Sequence, residues 1–322
     1  MNQHWASVGE AGALSGLRLM VWIYRHCGRW AFDVVLAPVM LYFLLRRPLA
    51  RRASRDFLKR VFRRYPDAFE REPGLWMTYL HFYRFGQALL DKYLAWIDAP
   101  AEIAMDPEQE RLLLSTVDSG RGCLLIASHF GNLEYARGIS HRHEKLVMNV
   151  LIHDKHAANF AALFTGAAPQ SRLNLIQVTE LDIELALRLK EKIDAGQWVV
   201  IAGDRIPVAG GTNVTPATFF GEPADFPVGP YVLARLLGCP VYLMHCFRIG
   251  EEYRLGFEFF ADRIRPARVR QGRSYGQEVQ RYASALEAQV RKAPLQWFNF
   301  YDFWAEHAIE AQAEGCGDEA VE

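Results

Sequence analysis

Two residues five positions apart can do chemistry together in this chain: His129 and Glu134, in the stretch Ser128-His-Phe-Gly-Asn-Leu-Glu134. A neutral imidazole takes a proton from a hydroxyl or amine, and a carboxylate beside it orients the ring and favours its charged form. The elements around the pair set its geometry. Residues 123–128, Cys-Leu-Leu-Ile-Ala-Ser, form a short apolar run suited to a central parallel strand. Gly131 ends that pattern, and Asn132 is a good N-cap for a helix through Leu133-Glu134-Tyr135-Ala136-Arg137. His129 is therefore expected at the carboxyl end of a strand, with Glu134 in the first turn of the next helix, reaching back. Open α/β sheets bind ligands at that edge. A helix N-terminus there would also steady an oxyanion. A His with an acid five residues on arises often by chance, and the strand-then-Gly-Asn context is what narrows the reading.

A second pair falls at the same edge. Residues 198–202 read as a strand and end in Gly203-Asp204-Arg205. Two roles fit Asp204 and Arg205: an ion pair that pins the next segment, or a binding pair. Arg205 suits a phosphate or carboxylate, because its guanidinium is a planar fork. Residues 206–229 are rich in Gly, Pro and Thr, carry Phe219-Phe220, and read as a long loop, a class usually functional or mobile. Gln296 to Trp304 is aromatic and reads as packing, or as the mouth of an apolar groove.

These blocks resemble a known family. Residues 128–134 resemble the His-x-x-x-x-Asp/Glu motif of the lysophospholipid acyltransferase superfamily, and the internal Gly-Asn is similar to its bacterial lipid A biosynthesis (late) acyltransferase branch. Gly203-Asp204-Arg205, then Thr218-Phe-Phe-Gly221, then Val228-Gly-Pro-Tyr-Val-Leu-Ala234 is similar to that branch's Asp-Gln…Phe-Phe-Gly…Leu-Ala block. Gln296-Trp-Phe-Asn-Phe-Tyr-Asp-Phe-Trp304 resembles its closing segment. Two departures stand out. Arg205 occupies the place of the branch's Gln, and Arg172, the nearest candidate for an arginine between the first two blocks, sits in surroundings that do not match. The resemblance implies a membrane-associated O- or N-acyltransferase on the cytoplasmic face of an inner membrane. It implies His129 as general base and Glu134 as its partner, with Asn132, Arg137, Asp204 and Arg205 at the substrate. The donor would be acyl carrier protein, or acyl coenzyme A. The acceptor would be a lipid A precursor, another glycolipid, a lyso-lipid, or a specialised lipid of aryl polyene or ornithine type. No cofactor or metal is implied. A hydrolase using water is a competing class, against which the missing Gly-x-Ser-x-Gly elbow counts. A non-catalytic membrane scaffold is another, against which the intact His129 and Glu134 count.

Strand and helix signals alternate from residue 107 onward. They predict an α/β domain with a mixed, mostly parallel sheet flanked by helices, and an antiparallel hairpin of 241–249 with 253–260. Residues 1–100 read as an N-terminal helical, membrane-anchoring region and 101–322 as the catalytic domain. The charge divides unevenly. Residues 1–64 hold 12 Lys and Arg against 3 Asp and Glu, and the remainder 25 against 34. Residues 30–45 are apolar apart from Asp33 and Pro38, slightly short of the ~20 residues of a clean span. Nine basic residues follow between Arg46 and Arg64, a pattern that marks a cytoplasmic membrane face. The alternative is a buried core helix followed by a solvated basic one. No small-residue cleavage site follows the apolar stretch, so no removable signal peptide is expected. No nucleic-acid motif accompanies the charge. The five cysteines have no ligand spacing, and Cys123, Cys239 and Cys246 read as small core residues. His141, His143, His153 and His156 lack a closing ligand set for zinc.

Overall fold

The computed structural model describes residues 11–97, 103–136, 146–152, 173–178, 182–206, 213–250, 252–269 and 272–304. Three helices come first: α1 (Ala11–Arg46), α2 (Pro48–Arg64) and α3 (Leu75–Ile97). They are followed by β1 (Ala104–Met105), α4 (Pro107–Asp118), β2 (Leu124–Ala127), β3 (Met148–Ile152), β4 (Leu173–Gln177), α5 (Ile183–Asp194) and β5 (Trp198–Ala202). Then come β6 (Val214–Phe219), β7 (Glu222–Pro227), α6 (Gly229–Leu237), β8 (Val241–Ile249) and β9 (Glu252–Ala261). The described chain closes with β10 (Ala267–Val269), β11 (Gly272–Ser274) and α7 (Gly276–Lys292).

Seven strands form one sheet in the order β1-β9-β8-β2-β5-β3-β4. β8, β2, β5, β3 and β4 run parallel, and β9 returns antiparallel to β8, as the expected hairpin. The fold is the mixed, mostly parallel α/β sheet that the alternation predicted. Period-2 alternation sends Leu124 and Ile126 to one core, shared with Val199, Ile201 and α7. Leu125 and Ala127 go to the opposite core, with Trp198, Val200 and Phe257. Both faces of β2 and β5 are thus dry, which is why these strands read as unbroken apolar runs. Cys123, Cys239 and Cys246 are buried and unpaired, as expected of small core residues.

Two sequence expectations change. Residues 206–229 are not one long loop, because β6 and β7 pair as an antiparallel hairpin. Its two-residue turn is Phe220-Gly221, both left-handed (φ 52° and 82°), the conformation that suits strand twist. Helix-type spacing was absent there, and the Pro and Thr content masked the alternation. The helix expected after Asn132 begins as a 3₁₀ turn, Leu133–Ala136. Arg137, Arg172 and the four histidines at 141, 143, 153 and 156 lie outside the described residues.

The apolar stretch is buried along one side and open along the other. Phe32, Leu36, Met40 and Leu44, spaced by four, bury one stripe of α1 against Phe82, Leu90 and Tyr93 of α3. Trp30, Val34, Leu41 and Leu45 form an open stripe on the other side, between 46% and 72% exposed. Gly28 breaks the helix with φ 80°, a value that a residue with a Cβ seldom adopts. Residues Arg18–Arg46 are the one helix among the described residues long and apolar enough to cross a membrane. In α2, Ser54, Phe57, Leu58 and Val61 face inward while Arg52, Arg55, Arg63 and Arg64 face out. Phe57, Leu58 and Val61 belong to the same core as β2 and β5.

His81 of α3 is fully buried and its pKa is pushed down to about 4 by that burial, against the hydrogen bond to Trp297. The unfolded chain takes up a proton near pH 6.5, whereas the folded chain resists until about pH 4. Stability from this group is therefore complete above pH 6.5 and is lost as pH falls toward 4, by roughly 3 kcal/mol at ~1.4 kcal/mol per unit. Urea midpoints of the detergent-solubilised protein and of His81→Gln, taken between pH 7 and 4, test this. The wild type should lose its stability relative to the variant across that window. A constant difference between the two curves would contradict it.

Candidate active site

The register of the central strands builds the site. β2 and β5 pair with Ala127 opposite Ala202. Two residues beyond each, His129 and Asp204 stand side by side at the carboxyl edge. The His129 Nδ1 lies 2.8 Å from Asp204 Oδ1, and the His129 main-chain N–H donates to Asp204 Oδ2 at 2.8 Å. The indole N–H of Trp297 donates to the same Oδ2 at 3.0 Å. Asp204 is 1% exposed, so this carboxylate is buried and is held by three N–H donors. Burial alone would raise its pKa. The neighbouring His129, the hydrogen bonds it donates and the nearby Arg205 outweigh that and hold Asp204 below the usual carboxylate range.

An ionised Asp204 fixes the tautomer of His129. Nδ1 must carry the hydrogen that Asp204 accepts, so Nε2 keeps its lone pair. The pKa of His129 is lowered, first by burial and then by the positive Arg205, against the pull of Asp204. The ring is thus a neutral base at neutral pH. Its side chain remains 37% exposed, open enough to meet a substrate.

A short strap holds the His129 loop in place. Phe130 bridges antiparallel to Trp297. The Gly131 N–H donates to the Gln296 carbonyl (2.8 Å) and the Phe298 N–H to the His129 carbonyl (3.3 Å). Arg205 donates from Nη2 to the Phe298 carbonyl at 2.9 Å. Gly131 has φ 72°, and a Cβ there would lie 2.0 Å from the Cys246 carbonyl, so only glycine fits.

Glu134 does not occupy the place expected of it. The carboxylate on Nδ1 is Asp204, while Glu134 pairs with Lys92 of α3 at 3.0 Å. The 3₁₀ turn, in place of an α-helical one, leaves Glu134 on the α3 side of the loop. Asn132 is 1% exposed and does not cap a helix. With its amide oriented by its partners, it donates to Glu134 Oε2 (2.7 Å) and accepts from the Lys92 main-chain N–H (3.0 Å). Nor are the adjacent amides free for an oxyanion, since the Gly131 N–H is committed to Gln296 and the Asn132 N–H to the Cys246 carbonyl (2.6 Å). Trp297 is the site residue that sequence reading assigned to packing or to the mouth of a groove, not to a bond with Asp204. Its one signal was chemical: a buried indole N–H needs an acceptor.

A cleft of about 300 Å³ opens beside this loop, lined by Gly131, Gln296 and Phe298. Phe69, Met77 and Leu295 make one part of its wall apolar, and Arg84, Gln87, Asp91 and Arg248 make another polar. Asp91 Oδ2 accepts from the Tyr253 hydroxyl at 2.6 Å, and Asp91 Oδ1 lies 2.5 Å from Arg29 of α1.

A sequence model of the bacterial lipid A biosynthesis acyltransferase family matches residues 24–306. No curated protein sequence matches the chain.

The two carboxylates are separable by mutation. Asp204→Asn keeps the shape but offers Nδ1 an amide, which favours the wrong tautomer, so kcat should fall by about a thousandfold or more. Glu134→Gln breaks the part-buried ion pair with Lys92 but keeps an amide oxygen for Asn132, and it leaves the carboxylate on Nδ1 in place, so it should cost about tenfold or less. Turnover by both purified variants decides it. The reverse ranking would put Glu134, not Asp204, on the reacting imidazole.

Proposed function

Because this chain belongs to the bacterial lipid A biosynthesis acyltransferase family, we propose that it moves a fatty acyl group from a thioester to a hydroxyl or amine of a lipid, with His129 as general base. The observation that carries this reading is the neutral, half-open imidazole whose Nδ1 is held by a buried carboxylate. His129 Nε2 takes the proton from the acceptor as its oxygen or nitrogen attacks the thioester carbonyl. The tetrahedral intermediate collapses, the C–S bond breaks, and the imidazolium returns the proton to the departing thiolate. Products are an ester or amide and a free thiol, with no covalent enzyme intermediate. Asp204 steadies the imidazolium during the step. Arg205, which acts electrostatically on His129, meets negative charge on the substrate in this reading. Glu134, through Lys92 and Asn132, holds the loop to α3.

The donor in this reading is acyl carrier protein, with acyl coenzyme A the alternative. The acceptor is a glycolipid or lyso-lipid whose polar part meets the Arg84 and Arg248 end of the cleft. The site works at the cytoplasmic face of the inner membrane. The open stripe of α1, with Trp22, Trp30, Val34 and Leu45, enters the bilayer, and the outer arginines of α2 meet anionic headgroups.

Acyl transfer from dodecanoyl acyl carrier protein to a lipid extract, read by mass spectrometry, tests the chemistry. His129→Ala should lose about a hundredfold to ten-thousandfold of turnover without unfolding. A variant keeping more than about a tenth of wild-type turnover would remove His129 from the mechanism. Membrane attachment has its own test. If the apolar stripe inserts, the protein should stay with the membrane pellet in 1 M salt and leave it in detergent. Release by salt alone would limit the contact to charge, which salt screens.

A further inference from the structure

Four hydrogen bonds run in line from the basic helix α2 to the reacting ring. Ser54 Oγ stands 2.8 Å from His81 Nδ1, and His81 Nε2 stands 3.0 Å from the Trp297 carbonyl. The Trp297 indole N–H reaches Asp204 Oδ2 at 3.0 Å, and Asp204 Oδ1 receives the His129 Nδ1–H at 2.8 Å. Every proton in this line has one possible place. A carbonyl only accepts, so His81 carries its hydrogen on Nε2. A neutral His81 then accepts at Nδ1, and the Ser54 hydroxyl donates to it. Burial keeps His81 neutral, with its pKa pushed down to about 4. Ser54 and His81 are both 0% exposed, so no solvent competes for these bonds.

The rings cannot turn away. His81 packs against Phe57, Phe298 and Phe300. The Trp297 indole is enclosed by Phe57, Phe219, Phe303 and Trp304. Residue 297 therefore works at two points: its carbonyl is held by His81, and its side chain holds Asp204. We propose that Trp297, His81 and Ser54 are positioning residues for acyl transfer, which fix the Asp204 carboxylate and through it the reacting tautomer of His129. This rests on the reading of His129 as the base.

Removing the indole N–H leaves Asp204 Oδ2 with the His129 main-chain N–H alone among its described donors. The carboxylate can then rotate, and less of its charge is neutralised. It attracts an imidazolium more strongly, so His129 should hold its proton to higher pH. The charged groups acting on His129 are Asp204 and Arg205 from the end of β5 and Lys92 from α3. Tyr301 lies close enough to feel Arg205 and Asp204, and burial raises its pKa so that it stays neutral. None of these is altered by a change at 297 or 81.

The test is a ¹⁵N-histidine NMR titration of the full chain in detergent micelles, with His129 assigned through His129→Asn. Trp297→Phe should raise the His129 pKa by about one unit and lower turnover of dodecanoyl acyl carrier protein by about tenfold to a hundredfold. His81→Leu should shift the titration the same way, and His81→Gln should restore most of it, because its amide can still donate to the Trp297 carbonyl. Wild-type titration in a folded Trp297→Phe protein would overturn the proposal, even if activity fell. Should that variant fail to fold, the His81 pair decides on the same scale, and equal titrations for Leu and Gln would end it. Full turnover by His129→Asn would show instead that the base assignment is wrong, and the role of the line with it.

Discussion

A buried carboxylate governs this architecture. Asp204 lies beneath the edge of the sheet, and removing a charge from water is costly unless donors replace the lost hydration. Three N–H groups do so here: the main chain and ring of His129 and the indole of Trp297. They come from positions 129 and 297, brought to 204 by the pairing of β2 with β5 and by the strap over the His129 loop. Each donor depends on the correct seating of its own element. Removing one partner of such a set typically costs about 3–5 kcal/mol, because the charge stays behind. Folding and the setting of the His129 ring are thereby fixed by the same bonds. A chain with β2 and β5 out of register would leave Asp204 without His129.

The same economy extends to the N-terminal helices. α2 offers arginines on its outer face and Ser54, Phe57, Leu58 and Val61 on its inner face. α3 carries His81 to the strap, Lys92 to Glu134, and Asp91 to Tyr253 and Arg29. The helices that would meet the membrane therefore touch the site at several points. Arg29 follows directly on the break at Gly28 and makes its ion pair with Asp91 there. Movement of α1 against α3 would be felt at Asp91, in the wall of the cleft.

Much of this was legible in the sequence. The unbroken apolar runs announced β2 and β5 because both faces of those strands are dry. The turn residues after them placed His129 and Asp204 at one edge. Their partnership was not legible, since they are 75 residues apart and only the strand order makes them neighbours. A motif read along the chain favours the near acid, Glu134. The 3₁₀ turn after Asn132 instead directs that carboxylate to Lys92. The β6–β7 hairpin was hidden by its Pro and Thr content, although Phe219 and Phe226, both buried, now prove to be core residues. Trp297 could be read as packing from its neighbours. Its bond to Asp204 depends on an edge assembled from three distant segments.

Arg205 shows how a departure from a familiar pattern can be accommodated. The related Asp-Gln block carries a neutral amide at this position, and here a cation stands next to the His129 imidazole. Its field lowers the proton affinity of His129, in the same direction as burial and against Asp204. A weaker base transfers a proton with less driving force, but it remains unprotonated over a wider pH range. The cation is also anchored by the Phe298 carbonyl, on the residue next to Trp297. Arg205 thus braces the strap that supplies the third donor to Asp204, while its charge opposes the proton that Asp204 would draw to His129. The imidazole is balanced between a buried anion and a fixed cation, and burial with the cation outweighs the anion, so the ring stays neutral at neutral pH.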